Sequence, residues 1–429
     1  MSTRQERWSL PAERRQSLAI ALVALAAFGA VWGLLHRGFY VRDQIIDTPV
    51  YQRYGDAMLD GQVPYRDFRV EYPPAALPMF VLPALGHAHD EVAYRRSFER
   101  LMAFCGLLAV AGVAAALMAL RAEPERSLGV LAFVAFAPLA LGSVILTRFD
   151  LWPTALSVLG LAAVLAARKR LGLGTLGLAA AAKIFPAVLG PPAVAFVWRR
   201  YGRREALVCA AVWIAVVLAC FLPFVVLSPG GVWDSLSRQA ERPLQIESLG
   251  SSFLLVAHQL SGYGIRLDLS HGSQNQGGAL ADAIATLQSL VQAAVVIALW
   301  IAFARGPATQ ERLVRYSAAC VAAFIALGKV LSPQFLIWLL PFVPLVRGRR
   351  GVLASAVLAL ALVLTQLWFP FHYWDLALRL DRRASWLVFA RDLVLVGLVL
   401  ALVIPRPARS RNSSHVPSAD RTRPVPPPA

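Results

Sequence analysis

The chain contains very few lysines, and two of them interrupt long apolar stretches. All but three of its 42 basic residues are arginine, whereas Lys183 lies in AAAAKIFPAVLGPP and Lys329 in LGKVLSPQFLIWLLP. A lysine at membrane depth is a compact cation that can bind a phosphate, and its burial without a partner is unfavourable. The alternative is that each side chain reaches back to the membrane surface. We expect both lysines to be unpaired cations that bind an anion.

A long polar segment, residues 37–74, follows the first apolar run. Its acidic residues are Asp43, Asp47, Asp56, Asp60, Asp67 and Glu71. Most of these positions are typical of a solvated loop. Asp47 differs, because a pair of isoleucines precedes it and the turn-forming Thr48 and Pro49 follow. We therefore expect Asp47 to be a carboxylate held at the membrane surface.

Polar side chains break the apolar pattern at further places. Arg148 and Asp150 lie between apolar runs of about 18 residues, each long enough to span, and we expect a charge pair there. An ordinary loop ion pair would explain them equally well. Residues 228–252 read as a polar loop, which contains Arg238, Glu241, Arg242, Gln245 and Glu247. Gln334 lies in the apolar stretch that follows Lys329.

Together these groups suit one reaction. Buried cations would hold the phosphate of a lipid-linked substrate and stabilise it as a leaving group, while the carboxylate of Asp47 takes a proton from an attacking hydroxyl. This chemistry is glycosyl transfer from a polyprenyl-phosphate sugar. One general base suffices in an inverting transfer, because the leaving phosphate is already a stable anion.

The elements that must position these groups are membrane helices. The chain is 58% hydrophobic and 16% charged, with a mean hydropathy of +0.58, which predicts an all-α polytopic transmembrane bundle. Apolar runs long enough to cross a bilayer are residues 17–35, 101–120, 207–227, 290–303 with their flanks, 352–369 and 387–404. We expect ten to twelve crossings, with 75–85 too short to be a full span.

Two local patterns refine this architecture. Val50, Tyr54, Ala57 and Met58 recur at helical spacing, which predicts an amphipathic helix over residues 50–59 lying along the interface. Lys183 lies between two arginine clusters about 28 residues apart, too long for one span and short for two. We expect two half-length helices that meet near the outer face.

Basic clusters at the span ends predict the orientation. By the positive-inside rule, the segment 1–16 and the tail 405–429 are cytoplasmic, the transmembrane domain is 17–404, and the loop 37–74 is extracytoplasmic. The tail is rich in Pro, Arg and Ser and is expected to be disordered. The net charge of +17 is distributed over loops rather than one soluble face, so we expect membrane lipids as partners and no nucleic acid. The four cysteines lie in apolar runs, so we expect no disulfide and no metal site.

Five segments carry a family resemblance. In order, they are DTPVYQRYGDAMLDGQVPYRDFRVEYPP, TRFDLWPTAL, AAAAKIFPAVLGPP, ERPLQIESLGSS and LGKVLSPQFLIWLLP. They resemble the successive motifs of glycosyltransferase family 87, which contains polyprenyl-phosphate-mannose-dependent α-1,2-mannosyltransferases with the GT-C membrane fold. The resemblance runs from about residue 47 to 341.

The resemblance implies a set of site residues in a multi-pass enzyme of the cell envelope. Asp47 matches the catalytic acid that GT-C enzymes carry in their first extracytoplasmic loop. The substrate-binding positions implied by the motifs are Tyr51, Tyr65, Arg66, Glu71, Tyr72, Arg148, Asp150, Lys183, Arg242, Glu247, Lys329 and Gln334. The first loop lacks an Asp-x-Asp, so no metal and no cofactor is expected. The implied partners are a polyprenyl-phosphate sugar donor, with mannose as the sugar, and a lipid or glycan acceptor.

Two other classes of protein would also use a polytopic bundle. A transporter or flippase of a lipid-linked or anionic solute needs broken helices and buried cations. Transporters of this kind usually show two similar halves, and the loop 37–74 has no counterpart in the second half. A scaffold within an envelope pathway would have no use for buried lysines.

Overall fold

A computed structural model describes residues 12–404. The first eleven residues of the predicted cytoplasmic segment and the whole predicted tail, 405–429, lie outside the described residues. The helices are α1 (Ala12–Leu34), α2 (Thr48–Leu59), α3 (Pro78–Ala84), α4 (Glu91–Ala119), α5 (Pro124–Leu141), α6 (Leu151–Leu165), α7 (Lys169–Ala182), α8 (Gly190–Tyr201), α9 (Arg203–Leu227), α10 (Pro229–Ala240), α11 (Leu249–Ser261), α12 (Ala279–Arg305), α13 (Gln310–Ala326), α14 (Gly348–Trp368), α15 (Tyr373–Arg379) and α16 (Arg382–Val403). The strands are β1 (Leu244–Gln245), β2 (Arg266–Ser270) and β3 (Ser273–Gly277).

Seven described helices are long and apolar enough to cross a membrane, namely α1, α4, α5, α9, α12, α14 and α16. Each of the six apolar runs predicted to span coincides with one of them, so the predicted all-α polytopic bundle is confirmed. No residue in the apolar window of α9 is fully buried in the described chain. One side of the helix packs on α7, where Trp213 lies against Gly177, and the rest of its surface is left to face lipid. The segment predicted to be too short for a span forms only a 3-10 turn, Pro74–Ala76, and the seven-residue α3.

The predicted pair of half-length helices is present. α7 has 14 residues and ends at Ala182, the 3-10 helix Phe185–Leu189 follows, and α8 has 12 residues. Lys183 lies at the break, where its backbone is extended. A proline cannot donate to a helical ladder, so Pro186 at the start of the 3-10 helix stabilises the interruption. Phe185 and Pro186 at the break are buried, and Lys183 and Ile184 line a polar cavity, which is where an interrupted helix at membrane depth is tolerated.

Small residues bring α6 and α7 into close contact. A Cβ built on Gly172 would lie 2.7 Å from the carbonyl oxygen of Gly160, and one built on Gly160 would lie 3.0 Å from that of Gly172. Membrane helices gain their mutual attraction from such close packing, because lipid supplies no hydrophobic driving force between them. The tight α6–α7 contact fixes the position of Asp150 at the start of α6 relative to Lys183 at the end of α7.

The polar segments contain more structure than the sequence indicated. The prediction of a polar loop over residues 228–252 is wrong, because α10, β1 and the start of α11 lie there. β2 and β3 form an antiparallel hairpin that turns at His271 and Gly272, and β1 pairs with the other edge of β3. β1 is only two residues long and β3 is polar throughout, so neither shows an apolar alternation. β2 does alternate Leu267 and Leu269 with polar residues, but over only five positions.

The predicted amphipathic helix is α2, but its deepest face is not the predicted one. Its buried residues are Thr48, Tyr51, Gln52 and Gly55. Tyr54 is only half-buried, together with the other three residues of the predicted apolar stripe. The observed buried face therefore includes Tyr51, which has 1% of its surface exposed. Tyr51 lies on the side of α2 that packs on α3.

Candidate active site

A cavity of about 520 Å³ lies where α2, α6, the break between α7 and α8, the α10–β1–α11 segment and the turn of the hairpin meet. The predicted site residues that line it are Asp47, Tyr51, Glu71, Tyr72, Arg148, Asp150, Lys183, Arg242, Glu247, Lys329 and Gln334. The structure therefore brings together all but two of the residues that the motifs indicated. Their roles toward substrate remain predictions.

Asp47 lies immediately before α2 and is oriented by two side chains. Its Oδ1 is 2.6 Å from Nη1 of Arg148, and its Oδ2 accepts a hydrogen bond of 3.4 Å from the hydroxyl of Tyr51. The Asp47 side chain keeps 32% of its surface exposed, whereas that of Arg148 keeps only 6%. Arg148 and Tyr51 thus hold Asp47 at the edge of the cavity, where the carboxylate remains partly exposed. The expected charge pair between Arg148 and Asp150 is wrong, because each of them has a different partner.

The partner of Asp150 is Lys183. The Nζ of Lys183 lies 2.6 Å from Oδ1 of Asp150, and the indole N–H of Trp338 donates to the same oxygen at 2.6 Å. The ammonium also lies 4.6 Å from the ring centroid of Phe149. The expectation that Lys183 is unpaired is therefore wrong. The pairing has a physical reason, since Asp150 is only 1% exposed and a buried carboxylate needs a counter-ion.

Arg242 and Lys329 have no carboxylate at ion-pair distance within the described part of the chain. Arg242 donates to Oγ of Ser273 at 3.0 Å and to the carbonyl oxygen of His271 at 3.4 Å, and its Nε is buried without a partner. Lys329 donates to the carbonyl oxygen of Ala240 at 2.8 Å. Both side chains line the cavity, and burial together with the charge of Arg242 lowers the pKa of Lys329. The two side chains form a cationic end of the cavity that is suited to an anion.

Glu71 lies on the side of the cavity that leads to α10. Burial raises the pKa of its carboxyl group, and the nearby charge of Arg242 opposes that rise. The amide of Gln239 donates to the Glu71 carbonyl oxygen at 3.0 Å, and the hydroxyl of Tyr65 donates to the carbonyl oxygen of Tyr72 at 2.6 Å. These backbone contacts hold the turn that presents Glu71 and Tyr72.

Glu247 follows β1 and forms the floor of the site. Its Oε2 accepts 2.7 Å from Nε2 of Gln245, which also donates to Oγ of Ser332 at 2.9 Å. Burial raises the pKa of Glu247 to about 8, so this carboxyl group is mainly protonated at neutral pH. A protonated carboxyl donates one hydrogen bond, and Oε1 has no partner in the described chain.

The other two predicted residues, Tyr65 and Arg66, lie outside the cavity. Tyr65 is buried, and Arg66 pairs with the neighbouring Asp67 at 2.9 Å. Both line an adjoining cleft of about 410 Å³ together with Tyr54 and Phe68. The cleft and the cavity share Glu71, Ser235, Gln239 and His271.

Sequence reasoning missed several residues of the site. His271 and Ser273 reach the cavity from the hairpin turn, and Trp338 fixes Asp150. Arg391 in α16 donates to the carbonyl oxygen of Glu247 at 2.8 Å. His271 adopts a left-handed φ of 54°. The glycine that follows it allows the tight turn of the hairpin. The alternation of Leu267 and Leu269 with polar residues before His271, and the glycine after it, indicate a strand and a turn rather than a site. No group of three or more His, Cys, Asp or Glu side chains that could hold a metal ion occurs among residues 12–404.

A bundle of spanning helices with an interrupted helix pair and a polar cavity at one end defines a membrane protein of the GT-C type. The family model of glycosyltransferase family 87 matches residues 71–333, more than half of the chain. The chain belongs to this family and is a membrane glycosyltransferase. No curated protein matches the chain.

The family assignment confirms the predicted fold and enzyme class, and it sets aside the transporter and the scaffold. The matched range contains eight of the eleven lining residues predicted above. Asp47 and Tyr51 precede it, and Gln334 follows it by one position.

Proposed function

We propose that the chain transfers mannose from a polyprenyl-phosphate donor to a hydroxyl of a lipid or glycan acceptor, on the extracytoplasmic face of the membrane. One observation carries the proposal: a single cavity has an oriented carboxylate, Asp47, on its wall and two cations without carboxylate partners, Arg242 and Lys329. A base and an anion site in one cavity are the two functions that this transfer needs.

The donor phosphate is assigned to Arg242 and Lys329. Arg148 and Lys183 each have a carboxylate at 2.6 Å, so their charge is largely neutralised in the absence of substrate. The mutual repulsion of Arg242 and Lys329 is relieved when an anion lies between them, which favours a phosphate there over water. Lys183 still faces the cavity and contributes to its positive potential, with Asp150 as its fixed partner.

The reaction then proceeds in one displacement. The acceptor hydroxyl attacks the anomeric carbon of the sugar, a carbon–oxygen bond forms, and the bond from that carbon to the phosphate oxygen breaks. The electron pair leaves with the polyprenyl phosphate, whose charge Arg242 and Lys329 stabilise. The hydroxyl proton passes to the partly exposed carboxylate of Asp47, which Arg148 and Tyr51 keep in place.

The acceptor is assigned to the adjoining cleft. Tyr54, Tyr65 and Phe68 offer aromatic surface there, and Glu71 offers a carboxyl group at the boundary with the cavity. Aromatic faces together with polar groups suit a sugar or polyol headgroup. The predicted substrate-binding role of Tyr65 and Arg66 is thereby proposed for the acceptor side.

The test is sugar transfer by Asp47→Asn. The amide retains the shape of the carboxyl and its contact with Arg148 but cannot accept the proton, so transfer should fall by about 100-fold or more. Membranes that contain the variant are supplied with labelled polyprenyl-phosphate mannose and extracted acceptor lipids, and the labelled product is quantified per folded enzyme.

Asp43→Asn is the matched control. Asp43 is exposed, lies four residues before Asp47 and lines neither cavity nor cleft, so its variant should retain wild-type transfer. If Asp47→Asn stays within tenfold of wild type, Asp47 is not the base. If wild-type membranes transfer no mannose but do transfer another polyprenyl-linked sugar, the proposed donor sugar is wrong. The proposed role of Asp47 as the base is unaffected by that outcome.

A further inference from the structure

A second concave site lies at the far end of the bundle from the active-site cavity. Its lining includes five arginines and one acid, Glu311, in a cleft of about 410 Å³ where α13 and α14 begin. The arginines are Arg312, Arg315, Arg347, Arg349 and Arg350. We define this set as the basic cleft.

The length of two helices separates the basic cleft from the active-site cavity. α13 and α14 begin at the cleft, and the residues that follow their last turns, including Lys329 and Phe369, line the cavity. At 1.5 Å per residue, their 17 and 21 residues extend about 25 and 31 Å. The two sites are therefore on opposite faces of the membrane.

The charge of Glu311 is already compensated from outside the cleft. Arg126 on α5 contacts both carboxylate oxygens of Glu311, at 3.2 and 3.5 Å, and donates to the carbonyl oxygen of Leu345 at 2.7 Å. Arg126 is thus committed to that position. The positive charge of the cleft arginines therefore exceeds the negative charge of Glu311.

The arginines of the cleft divide into committed and open side chains. Arg312 donates to the carbonyl oxygens of Phe303 and Pro307 near the end of α12. Arg315 lies 5.0 Å from the ring centroid of Tyr316 and, like the exposed Arg349, makes no hydrogen bond or ion pair to any residue in the described part of the chain. Their guanidinium groups are free to bind a ligand.

Two further features point to an anion. The N-termini of α13 and α14 both face the cleft, and helix N-termini favour negative charge. A planar guanidinium binds two oxygens of a phosphate at once. Arginines at a helix end would by themselves only mark the cytoplasmic face, but a concave lining with two open guanidinium groups and two helix N-termini forms a binding site.

We propose that the basic cleft binds the phosphate of an anionic phospholipid from the leaflet opposite the active site. Val352 and Leu353, one turn into α14, are 72% and 46% exposed and offer apolar surface to the acyl chains. This combination of headgroup site and apolar flank favours a lipid over a soluble phosphate. Only the assignment of that leaflet as cytoplasmic rests on the proposed function.

The experiment measures lipid binding by the purified full chain in phosphatidylcholine nanodiscs. Phosphatidylglycerol is titrated in, and the lipids that remain bound are counted by native mass spectrometry. The double variant Arg315→Gln/Arg349→Gln should weaken phosphatidylglycerol binding by about tenfold or more, because two charge-assisted contacts are lost. Sugar transfer is not part of this measurement, so failure of the proposed function leaves the result unaffected.

The matched control is Arg203→Gln/Arg204→Gln, which removes two exposed arginines at the start of α9. It lowers the total charge equally but lies outside the cleft, so it should bind phosphatidylglycerol as wild type does. Equal losses in the two variants, or no loss in either, would overturn the proposal. Soluble glycerol 3-phosphate is added in a separate arm. If it displaces phosphatidylglycerol at equal concentration, the occupant is a free phosphate and the lipid assignment is wrong.

Discussion

At the scale of single residues, the cavity is defined by which charges have partners. Two of its Arg and Lys side chains form ion pairs of 2.6 Å and two donate only to neutral oxygens. The paired cations are Arg148 and Lys183, and the others are Arg242 and Lys329. Loss of a paired cation leaves a buried carboxylate behind, whereas loss of an unpaired one removes only a charge that substrate would use. The same substitution should therefore affect stability at one lysine and activity alone at the other.

Lys183→Met should destabilise the protein. The change leaves Asp150, which is 1% exposed, without its counter-ion, and breaking such a buried pair costs about 3 to 5 kcal/mol. The melting temperature in detergent should fall clearly below that of wild type. Adding Asp150→Asn to this variant should recover part of the loss, because the orphaned charge is removed. An unchanged melting temperature in Lys183→Met would show that the pair does not exist in the folded protein.

Lys329→Met should leave the melting temperature unchanged and reduce transfer. Lys329 contacts only a backbone oxygen, so no carboxylate is left unpaired when its charge is removed. If it binds the donor phosphate, transfer per folded molecule should fall by about 100-fold, since truncating one side of a charge pair costs roughly 2 to 5 kcal/mol. The same labelled-mannose assay measures this, with Asp43→Asn as the reference. Full activity would remove Lys329 from the phosphate site.

The sequence predicted these charges better than it predicted their contacts. The scarcity of lysine and the apolar context singled out Lys183 and Lys329, and both side chains line the cavity. The partner of Lys183 lies 33 positions away, at the start of another helix, and Arg148, two residues from Asp150, offered a nearer but wrong choice. Local pattern can place a charge at membrane depth, but only the packing of α6 on α7 determines which carboxylate it meets.

At the scale of elements, α2 carries the proposed base and depends on α3 for its position. Tyr51 on α2 stacks on Phe80 of α3 with ring centroids 4.7 Å apart. Gly55, one turn further along α2, is buried against the same helix, where a Cβ would overlap the carbonyl oxygen of Phe80 and lie 3.0 Å from Cβ of Ala84. The absence of a side chain at Gly55 therefore permits the α2–α3 contact that orients Tyr51 and Asp47.

Gly55→Ala should separate α2 from α3. The obstructing atom is backbone and cannot rotate away, so the overpacking should cost about 1 to 3 kcal/mol. Displacement of Asp47 should also reduce transfer by about tenfold or more, because misplacement of a reacting group by about 1 Å is costly. Thermal melting and the transfer assay measure the two effects. Gly33→Ala in α1 is the control, since a Cβ there meets nothing within 4 Å, and a loss of equal size in both variants would contradict this account.

At the scale of the whole molecule, the sequence predicted the bundle because apolar length and lipid together leave few alternatives. Spanning runs must be helices, and the spacing around Lys183 fixed the broken pair. It did not predict α10, which packs against α9, or the hairpin, whose two strands are five residues long and mostly polar. The hairpin brings His271 and Ser273 to the cavity from a segment whose only periodic signal is the five-residue alternation of β2. Of the site residues that sequence alone missed, His271 and Ser273 thus lie on a polar element outside the spans, whereas Arg391 lies within α16 and Trp338 in an apolar stretch.

The positive-inside rule predicts the orientation of the protein in the membrane. It places the cavity outside the cell and the basic cleft inside it. Gln62, just after α2, and Arg204, at the start of α9, are both exposed, so each can be replaced by cysteine without disturbing the core. In intact cells, a membrane-impermeant thiol reagent should label Gln62→Cys and not Arg204→Cys, and both should react after the cells are opened. The parent chain is the control, because its cysteines are buried or half-buried. Labelling of Arg204→Cys alone would invert the topology and place the proposed transfer on the cytoplasmic face, whatever the activity of the Asp47 variant.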